Sequence, residues 1–404
     1  MTRGCASARP VEVDAVPRAV AHPASGAESG AVLRGVCGLR VSADGARTLR
    51  GRLRTVVDTS LLDRTAVGHE DRETMNVFPT SHDGAGALMR RARETAKRVS
   101  MKALAYGRFR PSESIVLTSS PRSGSTLLGQ ILASIPRSCV LFEPLHLVRV
   151  PGAAQAGFGW RTYVEADAEW RAGQRFLESV LQGKVVNDWT AREMSLRQLI
   201  RANRLIVKFV RANRMLPWMC EALDLRSPIL LIRHPCSVIS SQLAYGWDSA
   251  KRPSSPPFLD DSPRFRKIIS RASSVEEFLA ITWALDHLPI FLQPRPHPWV
   301  TITYEDLVSR PRPVLANLFE TLQVDVDLDQ AVSKLDQPSS VVRRNLGVSG
   351  VRGWREKLTE TQVAGILDTV QAFGLSFYTR EDQADRRRLD DPQLPEQIRA
   401  AGRD

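Results

Sequence analysis

Three groups of residues could do chemistry by type and spacing. The first is the run Ser119, Ser120, Pro121, Arg122, Ser123, Gly124, Ser125, Thr126, which joins an apolar β-branched stretch (Ile115, Val116, Leu117, Thr118) to a helical pattern of Leu127, Leu128, Ile131 and Leu132. A buried strand, a tight small-residue loop and a helix start follow from that order. Gly124 lets the backbone approach a ligand, and the first amides of the helix lack partners within it. The helix dipole adds positive charge at the same place, which makes the loop an anion seat. Arg122 adds a fixed cation with a donor fork, and Ser123, Ser125 and Thr126 add hydroxyl donors.

The second group is Glu143 and His146, at the end of a second strand pattern over 139–142. A carboxylate held in a partly desolvated site can take the proton of a positioned alcohol, and a histidine titrates near neutrality, so either side chain could act as a base. The third is Arg233 at the end of the apolar stretch 227–233, with Ser241 about two helical turns further on. Both can point toward one spot, and a guanidinium is suited to bidentate phosphate recognition.

The nucleotide-triphosphate form of the loop is absent: no lysine precedes the hydroxyl pair, and no strand ends in an evident Mg²⁺-holding aspartate. PRSGSTLL, with its cation ahead of the glycine, resembles the 5′-phosphosulfate loop of sulfotransferases that use 3′-phosphoadenosine-5′-phosphosulfate (PAPS). LFEPLH and the IRHP start of the third group resemble the Golgi-type carbohydrate sulfotransferases in particular, over roughly residues 112–378. The resemblance implies a three-layer, P-loop-like α/β fold with a central, mainly parallel sheet flanked by helices. It also implies that Arg122, Ser123, Gly124, Ser125 and Thr126 seat the 5′ end of PAPS, and that Arg233 and Ser241 hold its 3′-phosphate. Glu143 is favoured as the base over His146, and Arg122 is expected to stabilise charge on the departing phosphate. A further patch, GVRGWREKLT, resembles the segment that closes over the nucleotide, with Arg352, Gly353 and Trp354 as its candidates. No metal is expected, because the leaving phosphate would be held by protein cations.

The elements that must position these residues alternate along the chain. Strands are expected over 204–210, 227–233 and 299–304, with helices over 275–291 and 305–322. Residues 1–111 read as a partly disordered extension carrying one helix near 85–105, in which Leu88, Ala92, Ala96, Val99 and Ala103 share a face. Residues 112–380 form the sulfotransferase domain and 381–404 a charged tail. Trp160, Trp170 and Trp189 mark a candidate acceptor-binding insertion, with the proline- and serine-rich stretch 251–263 as a surface loop near it.

Composition excludes less than the motifs do. A net charge of +12 invites a nucleic-acid partner, but the arginines are scattered, without zinc-ligand spacing or an aromatic RNA-binding signature. A small polyanionic cofactor or an acidic glycan accounts for the balance equally well. Five cysteines at irregular spacing (Cys5, Cys37, Cys139, Cys220, Cys236) read as reduced thiols, not a disulfide framework. No run has the length of a membrane span and no leader is evident, so a cytoplasmic enzyme with no membrane partner is expected, unlike the anchored Golgi proteins. The acceptor is expected to be a small molecule or glycan. A P-loop kinase or nucleotide hydrolase, or a non-catalytic polyanion-binding module, are the competing functions, and oligomeric state is open.

Overall fold

The computed structural model describes residues 84–336 and 351–403. The extension up to residue 83, with Cys5 and Cys37, lies outside the described residues. After helix α1 (Gly84–Ala105), five strands form one wholly parallel sheet: β1 (Ile115–Ser119), β2 (Ser138–Phe142), β3 (Arg204–Phe209), β4 (Ile229–Ile232) and β5 (Val300–Thr303), in the order β2-β3-β1-β4-β5. Registers such as Val116 beside Val207 and Leu117 beside Ile229 put β1 in the middle, between β3 and β4. The chain leaves β1 toward one edge and later crosses to the other, so the loop after β1 sits at a switch point where open parallel sheets bind ligands.

The strands are apolar on both faces, as a sheet covered on both sides requires. Ile115, Leu117, Ile206, Ile229 and Leu231 face a layer containing α2 (Ser125–Leu132) and a later helix, Pro311–Thr321. Val116, Leu141, Val207 and Phe209 face the opposite layer, which includes Arg171–Leu181, while Leu230 and Ile232 pack under the long helix Val275–Phe291. Each such fully buried aliphatic side chain contributes about 1.5–3 kcal/mol. The sheet is therefore a rigid floor, and its carboxyl edge carries the side chains of interest.

The helix expected near 85–105 is α1, and the face that Leu88, Ala92, Ala96, Val99 and Ala103 share is not the one it packs against the core. Ala96, Val99 and Ala103 are exposed, whereas Met101, Ala105 and the following Phe109 are buried; the side chains of Leu88 and Ala92 lie outside the described set. Two stripes at helical spacing compete in this sequence, and the larger Met101 and Phe109 bring more apolar area to the core. The helix expected over 305–322 is two helices, Tyr304–Ser309 and Pro311–Thr321, separated at Arg310 (φ −137°, ψ 56°). Pro311 has no N–H to donate and disfavours helical geometry in the residue before it.

Residues 381–404, read from sequence as a charged tail, include the helix Leu394–Arg403 and bury Leu389, Leu394 and Ile398 in the core beneath Val275–Phe291. Cys139, Cys220 and Cys236 are unpaired, and burial pushes each thiol up to about 12. Among the described residues no helix is long and apolar enough to cross a membrane.

Candidate active site

Four strand ends supply the site. After β1 the loop holds Arg122 at φ 72° and Gly124 at φ 92°, with Ser123 between them. Alternation of left-handed residues with an ordinary one turns successive amides toward a common side, the backbone form of an anion seat. Glycine is required at 124 for a second reason: a Cβ there would lie 2.4 Å from the Tyr304 ring. Gly124 caps α2, and the Ser123 hydroxyl is buried without a hydrogen-bond partner, as is that of Ser119. Orphaned hydroxyls beneath a helix start fit the oxygens of a bound phosphate.

Arg122 is the hub of the loop. Its Nε donates to Ser241 Oγ at 3.1 Å, its guanidinium lies 4.6 Å from the centre of the Tyr245 ring, and its carbonyl accepts from Arg233 Nη1 at 3.2 Å. These contacts hold a non-glycine residue in a conformation that costs of order 1–3 kcal/mol. They also bring Arg122, from the first group of residues, together with Arg233 and Ser241 of the third. Arg233 stacks over Tyr304 at 4.2 Å and its buried Nε lacks a partner, so its fork has unused capacity for an anion.

The backbone carrying Arg233 is fixed from below. The next residue, His234, caps the helix Pro235–Ala244: its Nδ1 accepts from the Cys236 amide, and its Nε2 lies 2.9 Å from the Thr379 carbonyl. Those two partners require the neutral tautomer with the proton on Nε2. Burial lowers the His234 pKa to about 4, against smaller opposing effects of the Thr379 carbonyl and Asp382. Glu305 accepts from the His234 amide and from the Tyr378 hydroxyl, each at 2.9 Å, and burial raises its pKa. Glu305, in the first turn of the helix Tyr304–Ser309, thus anchors the Arg233 turn.

The GVRGWREKLT patch is divided. Trp354 is buried and stacks on His234 at 4.9 Å, 10° from parallel, behind the Arg233 turn. Arg352 is largely exposed and pairs with Asp382 at 2.5 Å. Gly353 lies between them. The neighbouring Val351 carbonyl is 3.5 Å from Ser237 Oγ, which sets this segment against the helix that follows Arg233.

Glu143 stands immediately beyond β2, at φ 38°. Its amide donates to the Lys208 carbonyl at 2.9 Å, and its own carbonyl accepts from the Trp189 indole at 3.2 Å. The carboxylate meets Arg211 Nη1 at 3.1 Å and Lys208 Nζ at 3.6 Å. Lys208 in turn donates to Thr126 Oγ1 at 2.9 Å and lies 3.9 Å from the centre of the Phe142 ring. Burial lowers the Lys208 pKa, with Glu143 and Glu193 opposing. His146 is buried, accepts from the Arg149 amide through Nδ1 at 3.3 Å, and is edged by Trp160 and Trp189.

Sequence reasoning missed Lys208 and Arg211. The lysine that the loop lacks is delivered from the adjacent strand, onto the hydroxyl of Thr126. Its signal was present in RLIVKFV, where one charge interrupts a run that otherwise reads as a buried strand. Of the marked tryptophans, Trp170 is core, Trp189 holds the Glu143 turn, and Trp160 lines a cleft beside the loop. That cleft also contains Pro121, Arg211 and Trp247. In the stretch 251–263, Phe258 packs on Tyr163 at 4.6 Å.

A model described as the sulfotransferase family matches residues 114–328, more than half of the chain. Among solved structures, the sulfotransferase domain of the Synechococcus PCC 7002 olefin synthase is 22% identical, with 67% of this chain and 97% of that domain covered and a TM-score of 0.38. Mouse sulfotransferase SULT7A1 complexed with PAP is 16% identical, with 68% and 87% covered and a TM-score of 0.37. No curated protein matches. The matched span runs from the start of β1 past the Arg233 turn to the helices after β5, enclosing the anion loop, Glu143 and Lys208, and on that match the chain belongs to the sulfotransferase family.

Proposed function

We propose that the protein transfers a sulfuryl group from PAPS to a hydroxyl of a carbohydrate, a glycosylated metabolite or another small acceptor. The observation that carries this reading is the chain Thr126, Lys208, Glu143, in which a buried ammonium joins the anion loop to a carboxylate at the neighbouring strand end. Ser123, Gly124, Ser125 and Thr126 would hold the 5′ end of PAPS, and Arg233 and Ser241 its 3′-phosphate. PAPS, when bound, supplies a sulfuryl group carried on a phosphate leaving group.

The residues divide the remaining work by their chemistry. Glu143 accepts the proton of the acceptor hydroxyl at a carboxylate oxygen. Lys208 and Arg122 supply fixed positive charge for the anion that develops on the loop side, in a site where preorganised charge is most effective. Protein cations thereby take the part a metal would play, and activity should survive a chelator. His146 serves the Glu143 turn, because its Nδ1 is engaged by the Arg149 amide and its ring by two tryptophans. Trp354 backs the Arg233 turn, while Arg352 closes over the nucleotide only by leaving Asp382. The three unpaired cysteines accord with a reducing compartment such as the cytoplasm.

The test is an acceptor screen with labelled PAPS and the full chain, followed by mass analysis for one added sulfate. Transfer in the presence of a chelator supports the reading, and nucleotide hydrolysis that needs Mg²⁺ replaces it with the kinase or hydrolase alternative. Binding of adenosine 3′,5′-bisphosphate without turnover, indifferent to Glu143, would make the protein a binding module.

A further inference from the structure

The cleft beside the loop has a charge pattern that the transfer reaction does not use. Arg161, Arg211 and Arg214 line it against a single carboxylate, Asp286, between the indoles of Trp160 and Trp247. Arg214 Nε donates to Asp286 Oδ1 at 2.8 Å, and Arg211 is drawn toward Glu143 while lying 4.7 Å from the centre of the Trp160 ring. Those two cations thus have carboxylate partners. Arg161 has none of its own and shares Asp286, forming a longer ion pair with the same Oδ1 at 3.5 Å, and its buried Nε has no hydrogen-bond partner.

Among the described residues Glu143 is shared by Arg211 and Lys208, and Asp286 by Arg214 and Arg161, so cations outnumber carboxylates in a partly buried, aromatic-walled space. A guanidinium that only shares a carboxylate in such a place is expensive unless an anion completes it. The cofactor seat has its own cations in Arg122, Lys208 and Arg233. Pro121 forms part of the cleft wall, so the cleft lies beside the loop, and Arg211 of its lining contacts the Glu143 carboxylate.

Resting on the sulfotransfer reading, the geometry points to an acceptor that carries an anionic group, a carboxylate or an existing sulfate, seated at Arg161 while a ring lies against Trp160 and Trp247. Arg161 is then the residue that selects acceptors by charge. Arg214 and Asp286 position it.

The experiment uses the full chain with adenosine 3′,5′-bisphosphate bound, and three probes that differ at one carbon: 4-nitrophenyl β-D-glucoside, its glucuronide and its 6-sulfate. Calorimetry should show a charged probe binding about tenfold or more tighter than the glucoside. Preference for the glucuronide identifies a carboxylate acceptor, and preference for the 6-sulfate a sulfated one. Arg161→Gln should bring the charged and neutral probes to within about threefold, with Arg161→Lys restoring part of the gap and nucleotide affinity unchanged in both. Equal binding of all three probes by the wild type, binding of none, or loss in Arg161→Gln that is the same for charged and neutral probes overturns the proposal. Failure of the bisphosphate itself to bind would instead remove the underlying sulfotransfer reading.

Discussion

Arg122 Nε and Ser241 Oγ, 3.1 Å apart, fasten the loop after β1 to the helix after β4. The two proposed phosphate seats are therefore one mechanical unit, since the same arginine offers its carbonyl to Arg233.

Removing Arg233 should separate the two ends of the nucleotide. Arg233→Ala is expected to weaken adenosine 3′,5′-bisphosphate by about ten- to a hundredfold, and adenosine 5′-phosphate by much less. Calorimetry with both nucleotides measures the difference, and equal losses would exclude a 3′-phosphate role. Ser241→Ala should behave similarly but more weakly, because a neutral hydroxyl offers a phosphate a weaker hydrogen bond than a guanidinium does.

Glu143 and Lys208 should control turnover more than binding. Glu143→Gln should lower kcat by about two to four orders of magnitude with bisphosphate affinity nearly intact. Lys208→Met should lower kcat by about two to three orders of magnitude, as for other preorganised charge donors. If His146→Ala reproduces the first effect and Glu143→Gln does not, the assignment of the base is reversed.

Gly124→Ala combines two penalties. The backbone there is left-handed, and the new methyl would lie 2.4 Å from the Tyr304 ring. Together these should cost about 2–4 kcal/mol and lower Tm by several degrees. Thermal unfolding would register the loss, and an unchanged Tm would mean that the loop relaxes away from Tyr304.

Acid should weaken the fold through His234. Its folded pKa is about 4, below the ordinary 6.5, so between those values the unfolded chain binds a proton that the folded chain refuses. Stability from this group is complete above pH 6.5 and falls as pH drops toward 4, by on the order of 3 kcal/mol. Urea midpoints across that window should show a shallower slope for His234→Asn, which keeps a capping oxygen but cannot titrate. An equally steep slope in the variant would assign the acid sensitivity to other groups.

Much of this was legible in the sequence where local pattern and packing agree. Apolar runs gave all five strands to within a residue or two, and the helix expected over 275–291 is present as Val275–Phe291. The loop was legible because its chemistry is consecutive: Arg122 through Thr126 occupy adjacent positions. Lys208 and Arg211 were not, because their meaning depends on pairings between strands distant in sequence, such as Phe142 beside Lys208 in the β2 and β3 register. The inward face of α1 was not legible for a related reason, since two stripes at helical spacing differ only in what the rest of the fold offers them.

The parallel register has a consequence for unfolding. Arg122, Glu143, Lys208 and Arg233 belong to, or directly follow, four different strands, and none of the pieces meets another until the sheet has closed. A nucleotide gripping several of them would act as a rivet through the rim of the sheet, and every route that parts those strands would first have to release it.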